Sequence, residues 1–416
     1  MNRLVLIGNG FDLAHGLPTR YVDFINWYWD QRVLGFQKIH SNISKDILCK
    51  FRIEESFISW MSFYNQIMSP FQKLNGKDVI DNIIHNNYSV KMSFSCSPFF
   101  GNIIKSIETK GWVDIEDEYY RQLTKCTIEG SLNQDALKEL NSQLSYITDL
   151  LVTYLKLISE MRHVKSEAAI EDIIYSPIKI EDVSIEGLHL VDEYVKDWLG
   201  SDVKNTIKLF ELFDQYDLDQ DSCFREYNTS KKIFQESGKI ADFPQFFMLP
   251  YDVLLLNFNY TSTALCYERE KCGRAIQIHG QLYYRDSIIF GYGDELDEKY
   301  KQLQALNENE CLKNIKSIKY LESAHYRHVL SFLESAPFQV LVMGISCGNS
   351  DRTLLNTIFE HKNCISIKPY YYQKANGTDT YLEIVQNISR NFTDMKLMRD
   401  RVVNKTYCEP LPQAKV

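Results

Sequence analysis

The sequence contains no Cys-x-x-Cys pair. Its ten cysteines are scattered over 416 residues, and the closest two, Cys266 and Cys272, have a spacing that suits neither a zinc knuckle nor a disulfide framework. Reduced thiols in a cytoplasm are therefore expected, with no bound metal. His325 and His328 lack a cysteine or carboxylate at ligand spacing, and read as surface or packing side chains. No stretch approaches the roughly 20 apolar residues of a membrane span, so a membrane is not an expected partner. The opening MNRLVLIGNG is too short for the apolar core of a secretory signal and runs straight into a glycine turn. No Lys/Arg tract occurs, and the net charge is −9. Affinity for nucleic acid comes mainly from neutralising phosphates, so nucleic acid is an unlikely partner on this composition. Low-complexity tracts and internal repeats are also missing.

What is present is an ordinary folded composition, 44 % hydrophobic and 24 % charged, long enough for one large domain or two. Residues 3–7, RLVLI, form a short apolar run bounded by glycine, which reads as a buried strand. The pattern recurs at DVLLLNFNY, AIQIHG, SIIFGYG, FQVLVMGIS, CISIKPYYY and MKLMRDRVV. Helical patterns such as DRTLLNTIFEH and DTYLEIVQNIS fall between several of them, which predicts βαβ units and a parallel sheet.

From about residue 30 to 245 strand signals are sparse and helical periodicity dominates. Leu137, Leu140, Leu144, Ile147, Leu151, Tyr154, Ile158 and Met161 step alternately by three and four, a heptad seam. That seam serves either a neighbour in the same chain or a partner, and a homo-oligomer is expected. FINWYWDQ and SFISWMSFY read as core, and the final CEPLPQAKV as a loose tail. The expected architecture is α/β. A Rossmann-like parallel-sheet domain comes from residues 1–30 and 246–416, with a large all-helical insertion over 31–245.

The stretch LVLIGNGFDLAHGLPTRYVDF places Gly8-Asn9-Gly10 between a strand and a helix start, with Gly16-Leu17-Pro18 after it. Glycines there permit a tight turn and close approach of a pyrophosphate, and a helix N-terminus favours anions. The third glycine of the dinucleotide fingerprint is missing near Ala14. Four more strand ends carry polar residues: Asn257, Asn259 and Thr261; His279 before Gly280; Gly291, Gly293, Asp294 and Glu295; and Gly344, Ser346 and Asp351. Ligands of parallel sheets bind outside such carboxyl ends. Asn259 also reads as a side chain that orders its own strand end, and His279 as a core histidine. In WVDIEDEYY, Glu116 shares a helical face with Trp112 and Tyr119 or Tyr120, and reads equally as pocket-facing or solvated.

These motifs, in this order, resemble the sirtuin superfamily. GNGFDLAHGLP is similar to its first glycine motif, NFNYT to its Thr-Gln-Asn-x-Asp, His279-Gly280 to its His-Gly, FGYGDE to its Phe-Gly-Glu, and Gly344 to Ser346 to its Gly-Thr-Ser. More closely, IGNGFDLAHGLPTRY, WVDIEDEYYRQL and FNYTST resemble the AbiH family of bacterial phage abortive-infection proteins. The zinc module of protein-deacetylating sirtuins is missing, Asp12 stands where that family has Ser, Thr261 stands where it has Asp, and Arg20 is offset by one from the family's Arg. An acidic side chain repels phosphate, so Asp12 is expected to face a ribose hydroxyl or cap the helix.

The resemblance implies a sirtuin-like fold and a phage-defence protein that binds NAD and hydrolyses its nicotinamide–ribose bond, with a phage-derived trigger or partner protein. Carried onto this chain, Asn259 orients the attacking water and His279 acts as base or ribose partner. NAD is held by Gly8, Asn9, Gly10, Phe11, Asp12, Pro18, Gly291, Gly344, Ser346 and Asp351. The alternatives are a module that senses NAD or ADP-ribose without turnover, and an interaction protein acting through its helical region.

Overall fold

The computed structural model describes residues 1–67, 75–129, 132–200, 203–238 and 244–414. Among them are eight strands: β1 (Asn2–Ile7), β2 (Ile43–Lys45), β3 (Cys49–Ile53), β4 (Met92–Cys96), β5 (Asp252–Asn257), β6 (Gly273–Gln277), β7 (Phe338–Met343) and β8 (Cys364–Tyr370). The larger sheet has the order β6-β5-β1-β7-β8, and every pairing in it is parallel. Counted along the chain within that sheet, the order is 3-2-1-4-5. It reverses at β1, which is flanked by β5 and β7 in register from Asn2 to Ile7.

The apolar runs read as strands because both faces of this sheet are covered, which removes the alternation of a half-exposed strand. Leu4, Leu6, Leu254, Leu256, Val340 and Val342 pack with Val329, Phe332, Leu355 and Ile358. Val5, Ile7, Val253, Leu255, Leu341 and Met343 pack on the other face with Phe11, Ile170, Ile174 and Tyr267. Buried polar residues interrupt the strands. Buried Arg3 donates through Nη1 to the carbonyls of Ile173, Ile174 and Ser176 at 3.1, 2.9 and 2.6 Å, and through Nη2 to Gln339 Oε1 at 2.9 Å. Those carbonyls end helix Ala168–Tyr175, so the guanidinium satisfies a helix C-terminus against the sheet. Beside it, buried Lys368 pairs with Asp182 at 2.9 Å.

The stretch between the sheet halves is not all-helical as expected. β2, β3 and β4 form an antiparallel sheet. Their sequences, ISK, CKFRI and MSFSC, are short and carry serines or charges on the open face, so they lack the continuous apolar run that marked the larger sheet. Two expected strands are also absent. MKLMRDR is a helix, Met395–Arg401, capped by the Asp394 side chain, which accepts from the amides of Lys396 and Leu397. SIIFGYG is irregular. Its backbone bonds go elsewhere, with Gly291 N donating to the Glu116 carboxylate and Tyr292 N to Asn314 O. The final segment is not loose: Leu411 is buried and donates to Tyr371 O, and Ala414 N donates to Ala14 O.

The helical periodicity fares better. Helix Gln134–Met161 is 28 residues long. Its seam from Leu137 to Tyr154 is buried, while Met161 at the end is 72 % exposed. Leu137, Leu144, Ile147 and Leu151 share one core with Phe24, Trp29, Phe36, Phe51, Trp60, Phe63 and Phe100, so the seam is filled from within the chain.

Candidate functional site

The glycines at the first turn answer to packing. A Cβ on Gly8 would lie 2.4 Å from Ile345 Cα, and one on Gly10 would lie 2.8 Å from Gly344 Cα. Gly10 N donates to Gly344 O at 2.7 Å, and Gly344 adopts φ +74. The turns after β1 and β7 therefore touch backbone to backbone at the reversal of strand order, and side chains there would hold them apart. Gly16, at φ +75, lets the chain turn back after the short helix Asn9–Ala14. Pro18 then accepts from the Tyr154 hydroxyl at 2.6 Å. Asn9 and Ser346 are the exposed residues of the two touching turns, whereas the Phe11 ring is buried against Tyr267 and His15.

Asn257 and Asn259 divide their duties. Asn257 is buried and ties its own strand end, accepting from Asn259 N at 3.0 Å and donating to Thr261 O at 2.9 Å. Asn259 reaches across and donates through Nδ2 to Gly8 O at 3.0 Å. Asp12 does not cap its helix, where Gly8 stands at the cap with no side-chain bond. It accepts instead from Thr261 Oγ1 at 2.6 Å. The first turn and the end of β5 are thus joined through a buried carboxyl–hydroxyl pair. Burial raises the Asp12 carboxyl to about 6, against the hydrogen bond from Thr261.

Next to this lies a buried chain of ionisable groups. His279 Nε2 is 3.1 Å from Asp351 Oδ1 and 3.2 Å from the Tyr320 hydroxyl, and its Nδ1 is 3.1 Å from Phe258 O. Lys316 Nζ donates to Asp351 Oδ1 at 2.9 Å and to Glu116 Oε2 at 3.0 Å. Glu116 Oε1 accepts from Gly291 N at 3.0 Å. The Lys316 side chain is fully buried. Glu116 comes from helix Ile115–Thr127, whose N-cap is Asp114. The other members come from the connections beyond β6 and β7, His279 just after β6, Lys316 on the short helix Lys316–Lys319 and Asp351 on the short helix Asn349–Asp351, so the inserted stretch and the sheet each supply part of the chain.

The electrostatics follow from crowding. Burial opposes the charged form of Lys316, but Asp351 and Glu116 outweigh it and raise its pKa. Burial also opposes ionisation of Asp351, yet Lys316 and His279 hold it below the usual carboxylate range. Glu116 is pushed up by burial, with Lys316 pulling the other way. Burial and the nearby Lys316 charge lower His279. The group therefore holds one ammonium against two carboxyls beside a neutral imidazole. Tyr320 is buried and Tyr21 and Tyr260 are half-buried around it, their hydroxyls raised by desolvation first and by these carboxylates second.

A sequence profile of the family described as bacteriophage abortive infection AbiH matches residues 4–372. The chain belongs to the AbiH family. The matched span runs from within β1 past β8 and takes in Gly8, Glu116, Asn259, His279, Lys316 and Asp351. The family implies a role in abortive infection, so this AbiH chain is a phage-defence protein. Neither a curated protein nor a solved structure gives a match.

This AbiH chain brings His279 and Asp351 into direct contact, and Asn259 onto the first turn. Gly291 serves to hold Glu116, and a Cβ on it would also strike Asn314 O. Asp294 pairs with Arg352 at 3.2 Å. Lys316 and Tyr320 were not foreseen. Their segment, KNIKSIKYLE, has no glycine and no strand-end signature.

Cavities of about 510 and about 790 Å³ lie elsewhere. The first borders helix Gln134–Met161 and Lys319, the second the amino end of the sheet near Asn2 and Arg274. Neither is lined by Gly8, His279, Lys316 or Asp351. Among the described residues no helix is long and apolar enough to cross a membrane, and no group of three or more His, Cys, Asp or Glu is placed to hold a metal ion.

Proposed function

We propose that this AbiH protein binds NAD at the carboxyl edge of its parallel sheet and hydrolyses the nicotinamide–ribose bond, depleting NAD during phage infection. The domain division at 1–30 with 246–416 and 31–245 belongs to this reading, as does a Rossmann-like, sirtuin-like sheet domain. The 3-2-1-4-5 order matches the first five strands of the doubly wound fold, in which ligands sit where the order reverses.

The observation that carries the reading is the His279–Asp351–Lys316–Glu116 chain beside that reversal. Cleavage of the glycosidic bond develops positive charge on the ribose as neutral nicotinamide leaves. Of the two carboxyls, Asp351 is the one held ionised, while Glu116 is raised to about 8 and protonated at pH 7, so the Asp351 carboxylate beside His279 is the group that favours that charge. His279 is neutral and able to accept a proton. With Nδ1–H donating to the Phe258 carbonyl, Nε2 takes the proton, and Asp351 at 3.1 Å stabilises the imidazolium. Water adds to the ribose carbon and gives up one proton, leaving ADP-ribose and nicotinamide. Asn259 orients that water, and the pyrophosphate lies by Asn9 and Ser346, the exposed residues of the two touching turns.

Gly10→Val is a poor probe, because its side chain would strike the Gly344 backbone. Asn9→Asp leaves the fold alone and places a negative charge where the phosphates would lie. In calorimetric titrations with NAD and ADP-ribose it should weaken binding by about tenfold, near 1.4 kcal/mol. Equal affinity in both proteins places the ligand elsewhere.

A further inference from the structure

We propose that Cys49 and Cys96 are a peroxide-oxidisable pair that closes to a reversible cross-strand disulfide. The inference is independent of the NAD reading. The two residues stand opposite each other at one end of the β3–β4 ladder, and both are free thiols. Ser97 N donates to Leu48 O, and Glu54 N donates to Lys91 O, each at 3.0 Å. Leu48/Ser97 and Glu54/Lys91 are therefore hydrogen-bonded pairs, and Cys49/Cys96, one step in, is a non-hydrogen-bonded pair. Such pairs bring Cα atoms to about 4.5 Å with both side chains on one face, within the about 4.4–6.8 Å that a disulfide spans. The next non-hydrogen-bonded pair, Phe51 and Phe94, has its rings 5.0 Å apart on that face.

The surroundings give the two sulfurs different parts. Cys96 is half-buried and open to a small oxidant. Its sulfur lies over the first turn of helix Pro98–Lys110, where a Cβ on Gly101 would come within 3.3 Å of it. Cys49 is buried, with its sulfur 3.2 Å from the Tyr28 hydroxyl. In the reaction the Cys96 sulfur attacks hydrogen peroxide, the O–O bond breaks and water leaves, giving a sulfenic acid. The Cys49 sulfur displaces that hydroxyl, which departs as a second water with the remaining proton. Two thiols lose two electrons and peroxide gains them. Burial raises both thiols, so the reaction is slow at neutral pH.

The bond would fasten β3 to β4 beside Ser97, the cap of the helix that packs on Ile115–Thr127, the carrier of Glu116. To test it, the folded full chain is treated with excess hydrogen peroxide, unfolded in iodoacetamide and mapped by mass spectrometry without reductant. A linked Cys49–Cys96 peptide pair is expected, lost with dithiothreitol and absent from Cys96→Ser. The urea midpoint of the oxidised parent should also rise. Recovery of both residues as alkylated thiols under exposure that oxidises the exposed Cys266 would overturn the proposal. So would recovery of Cys96 as sulfinic acid without a link.

Discussion

Two buried charge networks in this AbiH protein invite comparison. Both contain a lysine with almost no exposed surface, and both bridge the sheet to the long stretch between its halves. On the sheet face, Lys368 meets one carboxylate, Asp182, and Arg3 spends its donors on carbonyls at a helix end. Every charge there has a structural task. At the strand ends, Lys316 is shared by two carboxylates, one of them also against His279. The second network is over-supplied with acid and carries a titratable ring. Burial of charge does not by itself mark a functional site. The proposed function rests on the imbalance of the second network, at the strand ends.

The comparison is sharpest for the lysines. Removing one partner of a buried ion pair costs about 3–5 kcal/mol, so Lys316→Met and Lys368→Met should each lose that much in urea unfolding. A second change separates them. Asp182→Leu should restore most of the stability of Lys368→Met, because no carboxylate remains. Glu116→Gln should restore only part of that of Lys316→Met, because Asp351 is still uncompensated. Equal recovery in both would show that the two networks are alike.

The Asp12 carboxyl provides the next effect. Its folded pKa is about 6 against an ordinary 3.8. A raised folded pKa contributes stability that is present below the unfolded value and lost as pH rises through the folded one. Relative to Asp12→Asn, the parent should therefore lose about 3 kcal/mol between pH 2 and pH 8, at 1.36 kcal/mol per pKa unit, most of it between pH 4 and pH 7. Parallel stability profiles would remove Asp12 from the account. A smaller effect is expected of Thr261→Val, which strips the carboxylate of its hydroxyl donor. Hydrogen bonds to charged groups are worth about 1.5–3 kcal/mol, and the loss should shrink in acid as Asp12 protonates. An unchanged midpoint at pH 7 would mean the 2.6 Å bond contributes nothing.

How much of this was legible in the sequence depends on where each hydrogen bond goes. RLVLI, DVLLLN and FQVLVM read as strands because their partners are neighbouring strands and both their faces are apolar. SIIFGYG looks the same, but its Gly291 amide is taken by a carboxylate 175 residues earlier. β2, β3 and β4 are too short and too mixed to announce themselves. His279 and Asp351 were legible because glycine turns and strand ends flag them. Lys316 was not. It lies on a four-residue helix, and its burial depends on Glu116, 200 residues away, and Asp351, 35 away. No local pattern encodes such a meeting.

The central claim is that the acid-rich network at the strand ends, and not the one on the sheet face, performs NAD cleavage. The direct measurement is chromatographic detection of nicotinamide and ADP-ribose from NAD incubated with purified parent, Asp351→Asn and Asp182→Asn, each first shown to be folded. The account predicts equimolar products from the parent, about 10²–10⁴-fold slower release from Asp351→Asn, as for loss of a positioned acid–base group, and parental rates from Asp182→Asn. Intact NAD in every sample, with binding retained, would contradict it in favour of a sensing module, and equal release from the parent and Asp351→Asn would place the chemistry outside this network.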